Sequence, residues 1–462
     1  MAKHLKEFAH PQYMHYHVDW AKIRDCFDGE RAVKSKGAEY LPRLKAQSEE
    51  DYQNYLTRAL FFPITGKTVT TMVGLATVKP PKVDAPDLMQ PYFEDSESGY
   101  QFTETFVSTF METLLMGRYG LLIDAPAAVA GQPILCPYIA ENIVNWDTDE
   151  NGRVTMLLLR ETRSTRAAGT FTVEVETVYR HCYLDAAGIY TVEVLDEDLA
   201  VKTPAVQPVF SGKTIDYIPW VTFGASGIHM SIDKPPMLDI STINLSHYLT
   251  SADLEWGRHI VGLPTPVVSG VDSGTKLSIG GTAAWILPVV EAKAYYLEFQ
   301  GLGLKSLEIA MTDKISLMAS MSARMIDNST RGSEAAETVR LRYMSESAGL
   351  IHVIGAVETG FRILYNMLAK LLLTTPVTIV FSKEILGVGV SFKDLKVLFE
   401  AYLTGSISKE TLVYNMRRLD AIDPNRTDKE ELDAIQDPPP PVDPNAPKPA
   451  ATPAPQPSPK GT

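Results

Sequence analysis

The placement of glycine and proline between residues 234 and 325 constrains this chain more than any other feature. Pro235-Pro236 opens a stretch to Ile260 with no further Pro and one Gly, Gly257. Residues 261–301 then hold Gly262, Pro264, Pro266, Gly270, Gly274, Gly280, Gly281 and Gly301, with short apolar runs between them. Leu304–Met325 is again free of both residue types. Proline suits the first turn of a helix, where its missing N–H has no intrahelical partner to lose. Dense Gly and Pro punctuate turns. The segment therefore predicts helix, small β insert, helix.

The second of these helices carries its own pattern. Leu304, Met311, Met318 and Met325 recur every seven residues, with Leu307 and Met321 at the companion positions. Such spacing makes a narrow packing seam, which Lys314 interrupts. A second face holds Thr312, Ser316, Ser320 and Ala323, small groups that suit either a smooth wall or close helix packing. Lys305, Lys314, Arg324 and Arg331 are the nearby cations.

The polar run Asp327, Asn328, Ser329, Thr330, Arg331, Gly332 breaks the helix. From Ser333 to Leu373 an apolar stripe follows, including Val339, Tyr343, Leu350, Val353, Ile354, Val357, Phe361, Leu364 and Leu368. An unbroken helix of that length is about 60 Å long. A small polar loop between two long helices is expected to project rather than pack, with Arg331 as its one cation.

Elsewhere the chain mixes helix and strand. Phe102, Phe106, Phe110 and Leu114 step by four, and Tyr52, Tyr55, Leu56 and Leu60 also keep helical spacing. Pro80-Pro81 and Pro86 mark a loop, and Met1–His17 reads as an arm. Strands are predicted at Gly120–Ile123, Val154–Leu159, Phe171–Tyr179, Tyr190–Val194 and Trp220–Phe223, with Asn151-Gly152 and Gly188 at turns. They read as one antiparallel meander with a wet face. After a strand at Val377–Phe381, three short helices are expected, with Ser391 and Ser408 as caps, Gly405 as a stop, and Thr427 with Glu430 as a capping box. Eleven prolines beyond Gln436 make the end of the chain an extended, disordered arm. The fold class is α+β.

Composition narrows the chemistry. The 462 residues carry a net charge of −13, which repels a phosphate backbone rather than gripping it. Cys26, Cys136 and Cys182 are scattered and odd in number, which suits a reduced compartment. No apolar run approaches a membrane span, and no signal peptide is visible. Gly66-Lys67-Thr68 mimics the end of a phosphate loop. Such a loop needs glycine where Phe61 stands, and Pro63 removes an amide. His15 and His17 lack a third metal ligand of suitable spacing. Asp253, Glu255, Arg258 and His259 match no metalloprotease pattern and read as polar contacts between subunits. No catalytic residue, cofactor or metal is expected.

The string Ser251-Ala-Asp253-Leu-Glu255-Trp256-Gly-Arg258-His259-Ile-Val-Gly262-Leu-Pro264-Thr-Pro266-Val-Val-Ser-Gly270 resembles a stretch of tailed-bacteriophage portal proteins. Pro137–Trp146 resembles the portal wing motif, Glu334–Arg342 the start of the long helix after the tunnel loop, and Leu403–Leu412 the crown helices. The four stand in the portal order, and the resemblance covers roughly residues 20–435. The resemblance implies a portal-type fold. Its parts are an α/β wing (1–233), stem helices (234–260 and 302–325), a small β-containing clip (261–301) and a tunnel loop (326–332). A long helix (333–374) and a helical crown (375–435) follow, and the Pro-rich tail (436–462) lies outside. It implies a dodecameric ring at one capsid vertex of the virion, conducting double-stranded DNA. The terminase large subunit, a tail adaptor, and the major capsid and scaffolding proteins would be its partners. Lys305, Thr312, Lys314, Ser316, Ser320, Arg324 and Arg331 are then the candidates to face the channel. The rival readings are a cytosolic oligomeric scaffold without DNA passage and a nucleotide-dependent enzyme.

Overall fold

Pro11 at a first turn and His10, whose Nδ1 accepts the Gln12 amide at 3.1 Å, start the first helix, α1 (Pro11–Asp28). The computed structural model describes residues 6–93, 102–125, 133–167, 169, 171–262, 265–270, 291, 293–297, 302–326, 348–381 and 392–418. After α1 come α2 (Glu30–Ser35), α3 (Glu49–Arg58), α4 (Ile64–Thr77), β1 (Lys82–Asp84) and α5 (Phe102–Met116). Eight strands follow: β2 (Arg118–Asp124), β3 (Ile134–Ile139), β4 (Ile143–Thr148), β5 (Val154–Arg166), β6 (Val173–Leu184), β7 (Tyr190–Leu195), β8 (Val201–Val206) and β9 (Trp220–Gly224). Then come α6 (Leu238–Gly262), β10 (Thr265–Ser269), β11 (Lys293–Leu297), α7 (Leu302–Ile326), α8 (Ala348–Leu371), β12 (Thr378–Val380), α9 (Phe392–Leu403) and α10 (Lys409–Arg418). The architecture is mixed helix and sheet.

The chain divides into two compact units, 1–385 and 386–462. In the first, the expected single meander is two sheets. β4 to β8 form a five-stranded antiparallel meander in sequence order, while β2 pairs with β3 and β9. The reason is burial. β9 is buried along its whole length and β2 along all but its last residue, so both need cover on two faces. The alternating strands β6 and β7 can leave one face wet. Gly152 and Gly188 take positive φ at the turns where they were expected.

Ion pairs join the layers. Arg24 of α1 makes a fork to Glu112 of α5, at 2.8 and 2.7 Å, and its Nε donates to Glu141 at 2.9 Å. Arg180 of β6 donates to Asp124 of β2 at 2.5 Å and to Glu161 of β5 at 2.6 Å, tying one sheet to the other. Burial alone would raise the Glu161 carboxyl, but Arg180 and the Tyr138 hydroxyl outweigh it, and its pKa is lowered.

The stripe on α8 is the wall of the main core: Leu350, Val353, Ile354, Val357, Phe361, Leu364 and Leu368 are all buried. Phe361 is its hub, with ring centroids 5.3 Å from Phe223, 5.8 Å from Phe102 and 5.9 Å from Phe381. The described helix is about 36 Å long; residues 327–347, with Asp327–Gly332 and the first part of the expected long helix, lie outside the described residues.

Three further expectations change. The N-terminal arm is helix from Pro11, because Tyr13, Trp20 and Ile23 bury one side of it. The loop at Pro80–Pro86 contains β1, which pairs with β12, Lys82 opposite Val380. The strand at residues 378–380 thereby belongs with the first unit. In the second unit, Gly405 at φ +72 ends α9, with Ser406 N–H donating to Ala401 O at 2.8 Å and Gly405 N–H to Tyr402 O at 3.0 Å. Ser408 caps α10 through the Thr411 amide at 3.1 Å. Ser391, the Thr427–Glu430 capping box and the Pro-rich end lie outside the described residues.

Two glycines of α8 separate packing from propensity. A Cβ on Gly360 would stand 2.4 Å from the buried Phe223 ring, while Gly355 has open space. Gly360→Ala is expected to destabilise by about 1–3 kcal/mol. Gly355→Ala should stabilise by about 1 kcal/mol. Thermal unfolding of the two variants checks the opposite signs.

Candidate functional site

The two Gly/Pro-poor segments form an antiparallel pair of 25-residue helices, α6 and α7, each about 37 Å long. Contacts set the direction: Gly257 faces Leu304, Arg258 faces Glu308, and Thr250 faces Lys314. Between them, β10 and β11 form an antiparallel ribbon with Thr265 opposite Leu297 and Ser269 opposite Lys293. Residues 271–290, the middle of the insert, lie outside the described residues.

On α7 the heptad seam faces inward. Met318 is fully buried, and Leu304, Leu307, Met311, Lys314 and Met321 are half-buried. Lys314 follows the seam. Its ammonium donates to Ser246 O at 2.9 Å and Thr250 Oγ1 at 2.5 Å, both on α6. Burial lowers its pKa, and Asp253 partly offsets that. This takes Lys314 off the outward face on which a channel role was expected. Lys305, Thr312, Ser316 and Ser320 do share that face and are exposed. The three hydroxyls fold back on their own helix: Thr312 to Glu308 O, Ser316 to Thr312 O and Ser320 to Leu317 O, at 2.8–3.0 Å. They leave a ridge without net charge. The Arg324 side chain and Arg331 lie outside the described residues.

Of the four polar residues expected between subunits, Asp253, Glu255 and Arg258 have polar partners in their own chain. Asp253 accepts the Tyr55 hydroxyl at 2.6 Å. Arg258 bridges Glu255 and Glu308, each at 2.8 Å. The His259 ring lies 5.9 Å from that of Trp256.

Asn244, which the sequence did not single out, anchors the hairpin. Its Oδ1 accepts both the backbone N–H and the hydroxyl of Thr65, each at 3.1 Å, and its Nδ2 donates to Phe62 O at 2.8 Å. Thr65 belongs to the first turn of α4, whose amides need outside acceptors. The Gly66-Lys67-Thr68 resemblance to a phosphate loop ends here, because one of those amides is already bonded inside the protein. Thr68 in turn contacts Ser322 of α7 at 3.0 Å. Only the folded chain brings position 244 to position 65.

His15 and His17 lie in α1, where His17 Nδ1 donates to Met14 O at 2.8 Å. Among the described residues no group of three His, Cys, Asp or Glu side chains could hold a metal. A second set escaped the sequence. Ser226, His229 and Asp233 meet in the loop after β9, with Ser226 Oγ 3.0 Å from His229 Nε2 and 2.7 Å from Asp233 Oδ1. An acyl-transfer triad puts hydroxyl and carboxylate on opposite ring nitrogens. Here Asp233 lies 3.6 Å from that same Nε2 and itself accepts the hydrogen bond of the serine hydroxyl. The set closes a loop.

His247 is fully buried on α6, edge-on to Phe62 at 5.1 Å, and neither ring nitrogen has a hydrogen-bond partner among the described residues. Burial, then the Lys314 charge, lowers its pKa.

A family model described as "Domain of unknown function (DUF4055)" matches residues 236–371, from the start of α6 to the end of α8. No curated protein matches the chain. Among solved structures it is similar to a chain of "Virion of native gene transfer agent (GTA) particle", at 13% identity and a TM-score of 0.40, over 86% of this chain and 100% of that one. It is also similar to a chain of "Neck of native GTA particle computed with C12 symmetry", at 11% identity and a TM-score of 0.38, over 84% and 98%.

Two predictions follow from this geometry. Asn244→Ala orphans the Thr65 donors and Phe62 O, so calorimetry should show destabilisation of about 2–4 kcal/mol. His247 has a folded pKa below its unfolded one, so the unfolded chain takes up the proton first. Stability should therefore fall as pH drops below about 6.5. His247→Leu should flatten that slope between pH 7 and 5 in denaturant titrations. His10 is lowered likewise, by burial and Arg118, and should keep the remainder.

Proposed function

We propose that this chain is a portal-type ring subunit, which sits at a capsid vertex and conducts double-stranded DNA. The hairpin carries the reading. One face of α7 is a seam against α6, and the opposite face is a ridge of small hydroxyls with Lys305 at one end. A sliding duplex needs a surface without a trap, and an uncharged ridge on an acidic protein supplies one. Ile315 and Leu317 flank Ser316, about 100° to either side. They are 40% and 46% exposed. Two apolar flanks with a polar ridge between them suit a head-to-tail contact with one neighbour on each side, which closes into a ring. The motifs quoted above for the portal family support the same reading, and with it a dodecamer, a packaging motor, a tail adaptor and capsid proteins as partners. The chain's own role in this reading is mechanical, and ATP hydrolysis belongs to the motor.

Electron microscopy of concentrated protein should show closed rings with an axial hole. Monomers and dimers alone would reject the reading, and a ring without a hole would favour the scaffold. Leu317→Glu and Ile315→Glu should each abolish rings while leaving the monomer folded. Mixed together they should stop at dimers, since each variant keeps one good flank.

A further inference from the structure

Away from the hairpin, the outer side of α8 and the Tyr217 segment enclose a groove of about 490 Å³, lined by Tyr217, Arg362, Ile363, Asn366, Met367 and Lys370. Each of its polar side chains can donate a hydrogen bond. Arg362 and Lys370 are exposed, and neither has an ion-pair partner among the described residues; Lys370 Nζ instead sits 5.1 Å above the Tyr217 ring. Asn366 uses its Oδ1 to accept the Val377 amide at 2.8 Å, which leaves its NH2. The Tyr217 hydroxyl is buried with no partner among the described residues. Asp216, the neighbouring acid, faces Arg153 at 4.0 Å. Between the two cations lie the half-buried aliphatic side chains of Ile363 and Met367.

We infer that this groove docks an acidic, aliphatic segment of a partner protein, with two carboxylates bracketing one apolar side chain. Arg362 and Lys370 are eight helical residues apart, or about 12 Å. An extended segment with acids four residues apart spans about 13 Å. A guanidinium, an ammonium and an amide NH2, beside a phenol that can donate as well, call for an anionic occupant. The aliphatic floor calls for a side chain and disfavours a nucleic-acid backbone, which asks for a row of cations. On a chain of net charge −13, an unneutralised cation pair beside exposed apolar atoms is out of keeping with its surroundings. The inference does not rest on the ring.

The test uses the full chain and a fluorescein-labelled extended peptide with two glutamates four residues apart and a leucine midway. Fluorescence anisotropy should give saturable binding. Arg362→Gln with Lys370→Gln, both at exposed positions, should weaken it at least about tenfold, or about 1.4 kcal/mol. Met367→Glu should abolish it. Circular dichroism checks that the variants stay folded. No saturable binding, equal binding by the double variant, or equal binding of a peptide with serine for leucine would each overturn the inference. So would displacement of the peptide by a short DNA duplex. Displacement by millimolar inorganic phosphate, together with indifference to the leucine, would reduce the site to a simple anion pocket and overturn it too.

Discussion

One side-chain amide ties α6 to the start of α4. Asn244 stands on the helix that forms half of the hairpin, and it holds the first turn of α4 and the chain just before it. Around that point the packing is close. Cys26 of α1 donates to Ser241 O, and Leu245, Tyr248 and Ala252 share a small core with Tyr52, Tyr55 and Phe61. α6 is therefore at once a wall of the body and one leg of the hairpin. A load on the hairpin tip would pass into the body through hydrogen bonds and buried rings rather than through a linker.

The seam between α6 and α7 includes a charge where an apolar side chain would pack more simply. Lys314 donates hydrogen bonds to a carbonyl and a hydroxyl one turn apart on α6, and burial lowers its pKa while Asp253, farther along the same helix, partly offsets that. A cation at one level of an otherwise apolar seam fixes helix register. A shift of one turn would set Lys314 against different side chains and leave it unmatched. The register so held places Thr312, Ser316 and Ser320 in line on the outer face.

Charge is distributed by layer. Arg24 and Arg180 are clamped between pairs of acids inside the body. Arg118 is buried against the Trp146 ring at 4.0 Å with Met230 O at 2.7 Å, and His10 stacks on the same indole at 3.8 Å. The Arg362 and Lys370 pair is the contrast to that arrangement.

The elements whose residues speak for themselves were legible in sequence. Phe102–Met116 matches α5 because four buried side chains step by four. The Gly/Pro punctuation marks α6 and α7 within two or three residues, and the sevenfold spacing names the inward face of α7. Ser408 and Gly405 act locally on their own backbone, so their capping roles can be read without a fold. What escaped depends on partners far away in the chain. β1 is three residues long and becomes a strand only because β12 lies beside it. The meander splits into two sheets because burial of β2 and β9 depends on helices brought from elsewhere. Lys314 reads as a free cation until α6 supplies acceptors 64 and 68 residues away. Asn244 looks like any helical asparagine until Thr65 arrives from 179 residues away. Sequence determined the local conformations and the order of parts, because those follow from steric preference and spacing along the chain. Tertiary structure alone decided which polar groups are used up and which remain open, because hydrogen bonds and ion pairs are settled by proximity in space.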